Sequence, residues 1–302
     1  MLKREIIDVS VMQRLMPIYR GKWGAKLAKW SMKAFAIDKV NWVYGRSCHL
    51  RGAEFADSLL KDLGVQYRIG NSEQLQHLPE GAFITISNHP YGGIDGVMLI
   101  DLMAAIRPDY KLMVNQLLSL VKTMEDNFIS VRPRTGDKND PTESINGIRQ
   151  TLQNLKDGHP IGFFPAGAVS MFRFGIMKVR DREWQETIIR LIQMAKVPVL
   201  PIRFFDQNSH FFYFLGVIDW RIRSFRMPSE IFNKDRQFPR IGIGEWLTAE
   251  EIALINNSKV LGKRLRDAVY KMPLPATFIP RDQLNIEVGQ SPDVTKGEMS
   301  LA

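Results

Sequence analysis

Apolar positions along this chain fall into short β-branched runs separated by amphipathic stretches, and after residue 81 the two alternate regularly. The runs predict strands at 83–86, 111–114, 128–131, 161–164 and 197–204. Helical spacing predicts helices at 96–106, 117–124, 142–155 (with Thr142 as its cap) and 184–195. Upstream, a helix over 53–63 stops at Gly64, a strand follows at 65–69, and Ser72 opens a helix near 72–77. Downstream, 211–217 reads as a further apolar strand, 240–243 as an edge strand, and 249–255 and 259–272 as two closing helices. Such alternation implies an α/β fold, a mostly parallel sheet flanked by helices. In sheets of that kind, ligands gather beyond the carboxyl ends of the strands. His89, Arg132 and Pro165 each follow a strand, so the pattern expects all three to open onto one cleft. Neither an internal repeat nor a linker breaks residues 46–280, which read as one domain; 281–302 turn polar and read as a flexible tail.

Residues 1–45 have a different character. Between 9 and 44, Met12, Leu15, Trp23, Leu27, Trp30, Phe35 and Trp42 are interleaved with Arg14, Arg20, Lys22, Lys26, Lys29, Lys33 and Lys39, and Asp38 is the lone acid. Trp23, Leu27, Trp30 and Ala34 recur at helical spacing, with lysines on the adjoining flank. Tryptophan beside lysine on one helix marks a segment lying in a lipid headgroup layer. The competing reading is an ordinary amphipathic helix packed on the domain. A net charge of +9 suits an anionic partner. No nucleic-acid recognition motif accompanies the basic residues, so no specific nucleic acid is expected and a membrane surface with anionic lipids is. The single Cys48 excludes an internal disulfide and suits a reducing compartment. No signal-peptide pattern opens the sequence, and no apolar run is long enough to span a bilayer.

The candidate chemistry sits in the stretch 83–96. There Asn88-His89-Pro90 ends a strand, Gly92-Gly93 follows, and Asp95 stands at the start of the next helix. A neutral imidazole can take a proton from a hydroxyl, and a carboxylate on its other nitrogen fixes the tautomer. The bland alternative is a polar turn with a capping aspartate. The glycines favour the first reading, because they let a substrate approach the backbone closely. The histidines show no pair at metal-ligand spacing, so no metal is expected. Neither a Gly-x-Ser-x-Gly elbow nor a phosphate-cradling Gly-x-x-x-x-Gly-Lys loop occurs.

Asn88-His89-Pro90-Tyr91-Gly92-Gly93-Ile94-Asp95-Gly96 resembles the first block of the glycerolipid (lysophosphatidate-type) acyltransferase family. The stretches 128–132, 164–170 and 197–202 are similar to that family's later blocks, in order, so the resemblance covers about residues 80–220. The Pro-x-Gly-Gly-x-Asp-Gly form is similar to a bacterial branch that acylates lyso-lipids, including ornithine and glycine lipids. Two departures stand out. Five residues, not the family's four, separate His89 from Asp95, and Ala166, Ala168 and Val169 replace the family's Glu, Thr and Arg in the third block. The Gly92-Gly93 pair is expected to absorb the extra residue.

The resemblance implies acyl transfer from a thioester, on acyl carrier protein or coenzyme A as co-substrate, to a lyso-lipid hydroxyl. His89 would be the base and Asp95 its orienting partner. Asn88 would cap the turn and reach substrate, and backbone N–H groups near Gly167, beside Pro165, would hold the oxyanion. Arg132 and Arg134 would bind a headgroup or the donor's phosphates, unless they are solvated loop arginines, and Arg173 and Lys178 would add charge nearby. The resemblance also implies a peripheral or monotopic protein at the cytoplasmic face of the inner membrane. The alternative is a membrane-associated lipid-binding protein of the same fold whose third block has lost the reaction.

Overall fold

The computed structural model describes residues 4–115, 118, 120–131 and 141–285. The chain opens with three helices, α1 (Val9–Leu15), α2 (Gly21–Ala34) and α3 (Ile37–Ser47). α2 packs on Tyr19 through its small residues: Gly24, Ala28 and Ser31 are buried, and a Cβ on Gly24 would overlap the Tyr19 backbone. α3 runs across residue 45 and places Val43 and Tyr44 in the main core, beside Phe55 and Leu60 of α4 (Gly52–Asp62). α4 ends where expected, with Gly64 at φ 69°.

The expected parallel sheet follows. β1 (Arg68–Gly70), β2 (Ile84–Ser87), α5 (Gly93–Leu99), β3 (Lys111–Asn115), β4 (Phe128–Val131), α6 (Pro141–Lys156) and β5 (Ile161–Phe163) succeed one another. Next come a hairpin, β6 (Met171–Arg173) with β7 (Lys178–Arg180), then α7 (Glu186–Ala195) and β8 (Val199–Phe204). The chain closes with α8 (His210–Ile218), α9 (Trp220–Ile231), β9 (Arg240–Ile243), α10 (Ala249–Ala253), α11 (Ser258–Tyr270) and β10 (Ile279–Pro280). Among the described residues, eight strands form one sheet in the order β10-β1-β9-β8-β2-β5-β3-β4, parallel except at β8–β9 and β1–β10. Helices cover both faces. Leu99 and Met103 pack with Ile202 and Ile241 in one core, and Leu191 and Leu265 with Ile84, Ile86 and Val199 in the other. β2 lies centrally between β8 and β5, with all four residues buried, which puts its carboxyl end in the middle of one sheet edge.

Several expectations need correction. The stretch 211–217 is the helix α8, not a strand. Ser209 caps it by accepting from Phe212 N at 3.2 Å, and Asp219 then caps α9 by accepting from Arg221 N at 2.6 Å. A nearly unbroken apolar run has no period to read, so those caps were its only local signal. β9 is not an edge strand: it lies between β1 and β8, with Ile241 and Ile243 fully buried. The described part of the helix expected at 117–124 includes a 3-10 turn, Lys122–Asn127, and Ser72–His77 is likewise 3-10. α6 begins at Pro141, so Thr142 lies within its first turn. α5 begins at Gly93 and runs on through a π-turn, Ile100–Ala104. Past Pro280 the chain stays docked for a short way. Arg281 Nε lies 3.2 Å from the buried Asp101 carboxylate in that π-turn, where Tyr67 also donates to Asp101. Residues 286–302, the greater part of the expected tail, lie outside the described residues.

Candidate active site

β2 hands the chain directly to Asn88 and His89, and the early start of α5 puts Asp95 in that helix's first turn. Gly92 makes the junction possible. Its φ of 89° with ψ −130° is closed to L side chains, and a Cβ there would come within 2.9 Å of Met227 Sδ and 3.3 Å of Val169. The extra residue is absorbed in this turn, and His89 Nδ1 lies 2.7 Å from Asp95 Oδ2.

Asp95 is fully buried, and its carboxylate also accepts the N–H groups of Tyr91 (3.1 Å) and Gly92 (3.3 Å). Burial raises its carboxyl above the ordinary value, and His89 and the two N–H groups offset only part of that rise. A carboxylate can only accept, so this bond places the imidazole proton on Nδ1 and leaves Nε2 free to take one. The Phe164 ring stacks on the imidazole with centroids 4.1 Å apart, limiting its rotation.

The turn is fastened on several sides. Asn88, expected to reach substrate, is buried with its amide committed to Phe204: it donates to the carbonyl at 2.9 Å and accepts from the N–H at 2.8 Å. It therefore splices the turn onto the end of β8. Asn208 and Tyr213 donate to Pro90 O at 3.3 and 2.7 Å. Ser170 N donates to His89 O at 2.8 Å. Asp181 Oδ1 accepts from His89 N at 3.2 Å and from Ser170 Oγ at 2.5 Å, while its Oδ2 accepts from Trp184 Nε1 at 3.1 Å. Beneath the turn, Lys234 is buried with Nζ 3.7 Å from Glu230 Oε2 and 5.3 Å from the Tyr91 ring centroid. Desolvation pulls the Lys234 ammonium below its ordinary value despite Glu230.

The third block lies alongside. Pro165 and Ala166 are buried, and Arg182 donates to Ala166 O at 2.7 Å. Gly167 stands at φ 61°, a backbone conformation that favours glycine, and a Cβ there would have to displace the end of the Gln185 side chain. The Gly167 N–H donates to Phe164 O at 2.8 Å, so that one N–H group of the stretch is taken up within the turn. Gly93 opens on free space. Arg173 and Lys178 face each other across the β6–β7 hairpin. Arg132 and Arg134 lie outside the described residues. Among the described residues, no group of His, Cys, Asp and Glu is arranged to hold a metal ion. Cys48 is buried and donates to Gly45 O.

Sequence reasoning placed His89 and Asp95 together and missed Asp181, Phe164's stacking, Asn208, Tyr213 and the Glu230–Lys234 pair. Asp181 reads in sequence as one more charge in the polar run 178–183, since its bond to His89 spans 92 residues.

Comparisons with known proteins agree on the class of chemistry. A family model described as acyltransferase matches residues 14–271. The lyso-glycine lipid O-acyltransferase of Bacteroides thetaiotaomicron is 25% identical over 277 residues, covering 88% of this chain and 97% of that protein. The protein of the same name from Phocaeicola vulgatus is 24% identical over 243 residues, covering 78% of this chain and 83% of that one.

Proposed function

The chain belongs to the acyltransferase family whose model spans most of its length, and from that premise we propose that it moves a fatty acyl group from an acyl thioester to the hydroxyl of a lyso-lipid, with a lyso-aminolipid as acceptor. The observation that carries this reading is the His89–Asp95 contact of 2.7 Å in a buried turn at the carboxyl end of the central strand. His89 Nε2 takes the proton from the lipid hydroxyl as that oxygen bonds to the thioester carbonyl carbon. The C–S bond then breaks, and the proton passes from Nε2 to the departing thiolate. Asp95 stays ionised and stabilises the imidazolium; no acyl-enzyme is needed. Acyl carrier protein or coenzyme A supplies the thioester.

The acceptor class follows from the third block. Where the family resemblance places Glu, Thr and Arg, this chain has Ala166, sealed in the interior, and the half-buried Ala168 and Val169. A phosphate monoester needs dense charge and donors, and the loop lacks that guanidinium. An acylated amino acid with a free hydroxyl asks less of it, and both relatives are named for a lyso-glycine lipid. The test is competition: lyso-glycine lipid and lysophosphatidate are offered together with one acyl donor. A preference of about tenfold or more for the aminolipid is expected, the scale at which a modest pocket change discriminates. Preference for lysophosphatidate would overturn the acceptor assignment. Lipid binding without turnover on either acceptor would favour the non-catalytic alternative.

A lipid acceptor requires access to a lipid surface, and α2 is built to meet one. It buries Gly24, Ala28 and Ser31 and turns the larger apolar residues outward, with Trp23 83% and Trp30 65% exposed. A helix packing on the domain through its tryptophans would show the reverse. Lys26 Nζ sits 5.0 Å from the Trp23 ring centroid, so charge and aromatic surface lie side by side. Among the described residues no helix is long and apolar enough to cross a membrane, so α2 would lie along the interface. Replacing Trp23 and Trp30 together with serine is expected to weaken partitioning onto phosphatidylglycerol vesicles about tenfold or more. Added salt should weaken the unaltered protein's binding. Co-sedimentation unchanged by the double substitution would refute the α2 contact.

A further inference from the structure

We propose that α8, α9 and the tip of the β6–β7 hairpin form a second lipid-contacting face, beside α2, that sets the His89 turn against an anionic bilayer. It rests on the reading above that the chain acts on a lipid. Phe211, Phe214, Val217 and Ile218 are all exposed on α8, with Phe214 at 58%, and Trp220, 64% exposed, follows at the corner into α9. Phe174, Ile176 and Met177 are exposed at the hairpin tip, and Phe174, Ile176 and Val217 share a groove of about 1190 Å³ with charged side chains that include Arg173, Glu183, Glu186 and Lys263. A contiguous apolar surface rimmed by polar groups marks an interaction site.

The rim identifies the occupant. Arg221 holds its guanidinium 5.6 Å from the Trp220 ring, and Arg226 lies 5.6 Å from the Phe211 ring while pairing with Glu230 at 3.6 Å. Arg223, over the buried Phe212, donates inward to Ser170 O. Over α8 and α9 the acids are Asp219, which caps α9, and Glu230, which is buried against Ser209, Arg226 and Lys234. Aromatic rings with guanidinium groups at their edge match the headgroup boundary of an anionic membrane. A second copy of the chain is the competing occupant, since a two-fold contact sets the same patch on both subunits. α2 abuts α9 at its end, where the half-buried Phe35 stacks on the half-buried Phe225 with centroids 5.1 Å apart.

α8 links this face to the chemistry. Its Phe214 points outward, while the adjacent Tyr213 donates to Pro90 O in the turn that carries His89. An acceptor leaving the bilayer along α8 would therefore arrive at that turn without crossing water.

The experiment uses the full chain with α2 intact. Phe211, Phe214, Ile218 and Trp220 are replaced together with serine, and partitioning is measured on phosphatidylcholine vesicles with and without phosphatidylglycerol. At least ~100-fold weaker partitioning onto the anionic vesicles is expected, given the apolar surface removed. Turnover on a short-chain lyso-lipid dispersed as monomers should be retained, since all four side chains are exposed on the outer face and none hydrogen-bonds to the His89 turn. Equal partitioning of variant and parent overturns this face and leaves the proposed reaction standing. A parent that binds neither vesicle overturns the face as well, while its turnover on the dispersed lipid still reports separately on the reaction. A parent dimer that the substitutions convert to monomer would assign the face to self-association and overturn the proposal. A second measurement avoids the multiple substitution. Cys48 is buried, so Phe214→Cys can be labelled selectively with a polarity-sensitive dye. Its emission should shift to the blue on anionic vesicles, and the absence of a shift would also overturn the proposal.

Discussion

His89→Ala is expected to lower acyl transfer by about 10³–10⁴-fold or more, while fold and vesicle binding stay intact. The imidazole does two jobs in the proposed step, taking the hydroxyl proton and returning it to the thiolate, and alanine does neither. Asp95→Asn tests the partner more sharply, because its effect follows from hydrogen-bond geometry. The carboxylate accepts from Tyr91 N, Gly92 N and His89 Nδ1 at once. An amide has one accepting oxygen. At the Oδ1 position that oxygen keeps Tyr91 N, and the NH₂ group faces Nδ1 and drives the imidazole proton onto Nε2, where the base should be. At the Oδ2 position it keeps His89 but sets the NH₂ against the Tyr91 N–H. A loss of the same order, about 10³–10⁴-fold, is expected from the wrong tautomer. Because Asp95 is fully buried and its charged form is held at a desolvation cost, the neutral amide should not unfold the protein. Turnover on a purified lyso-lipid, with circular dichroism as the check on folding, decides the matter. Near-parental rates for either variant would remove the pair from the mechanism.

What the sequence disclosed and what it hid have a common physical basis. Strands such as 128–131 and the His89–Asp95 turn were legible because their signals are local: a β-branched run, a proline break, two glycines. α8 was misread because its outer face is apolar as well as its inner one. Phe211, Phe214 and Ile218 stay exposed while Phe212 and Tyr213 are buried, so the polar side that normally reveals a helix is missing. β9 looked like an edge because no short pattern reports which strands will flank it, and its neighbour β1 lies far upstream in the chain. Asn88 looked like a substrate ligand because a polar residue beside a base invites that reading. Only the distant Phe204 backbone shows that its amide is already used. The same logic hides Asp181, whose partners come from three separate parts of the chain.

Asp181→Ala is expected to lower kcat by about 10²-fold with little change in KM, the loss typical when a group that aligns the reacting residue is displaced. It should also destabilise the fold by about 2–4 kcal/mol, because buried donors lose their acceptor. Those donors are His89 N, Ser170 Oγ and Trp184 Nε1, and Asp181 itself is fully buried. The side chain touches the backbone of His89 and not its ring, so it acts as a positioning residue and should leave substrate affinity nearly alone. Asp181→Asn separates this role from general destabilisation. Oδ1 accepts from both His89 N and Ser170 Oγ, so an amide can keep those two bonds with its oxygen. Its NH₂ then meets the indole N–H of Trp184, donor against donor, at the position where Oδ2 accepted at 3.1 Å. The amide must tolerate that clash or flip and surrender His89, and either choice costs activity. Adding Trp184→Phe removes the indole donor and keeps an aromatic ring in place. The double variant should therefore recover most of the kcat that Asp181→Asn loses, with a favourable coupling of about 1–2 kcal/mol in a double-mutant cycle. Unchanged kcat in Asp181→Asn, or losses that simply add when Trp184→Phe is combined with it, would show that the His89 backbone is held in place without this carboxylate.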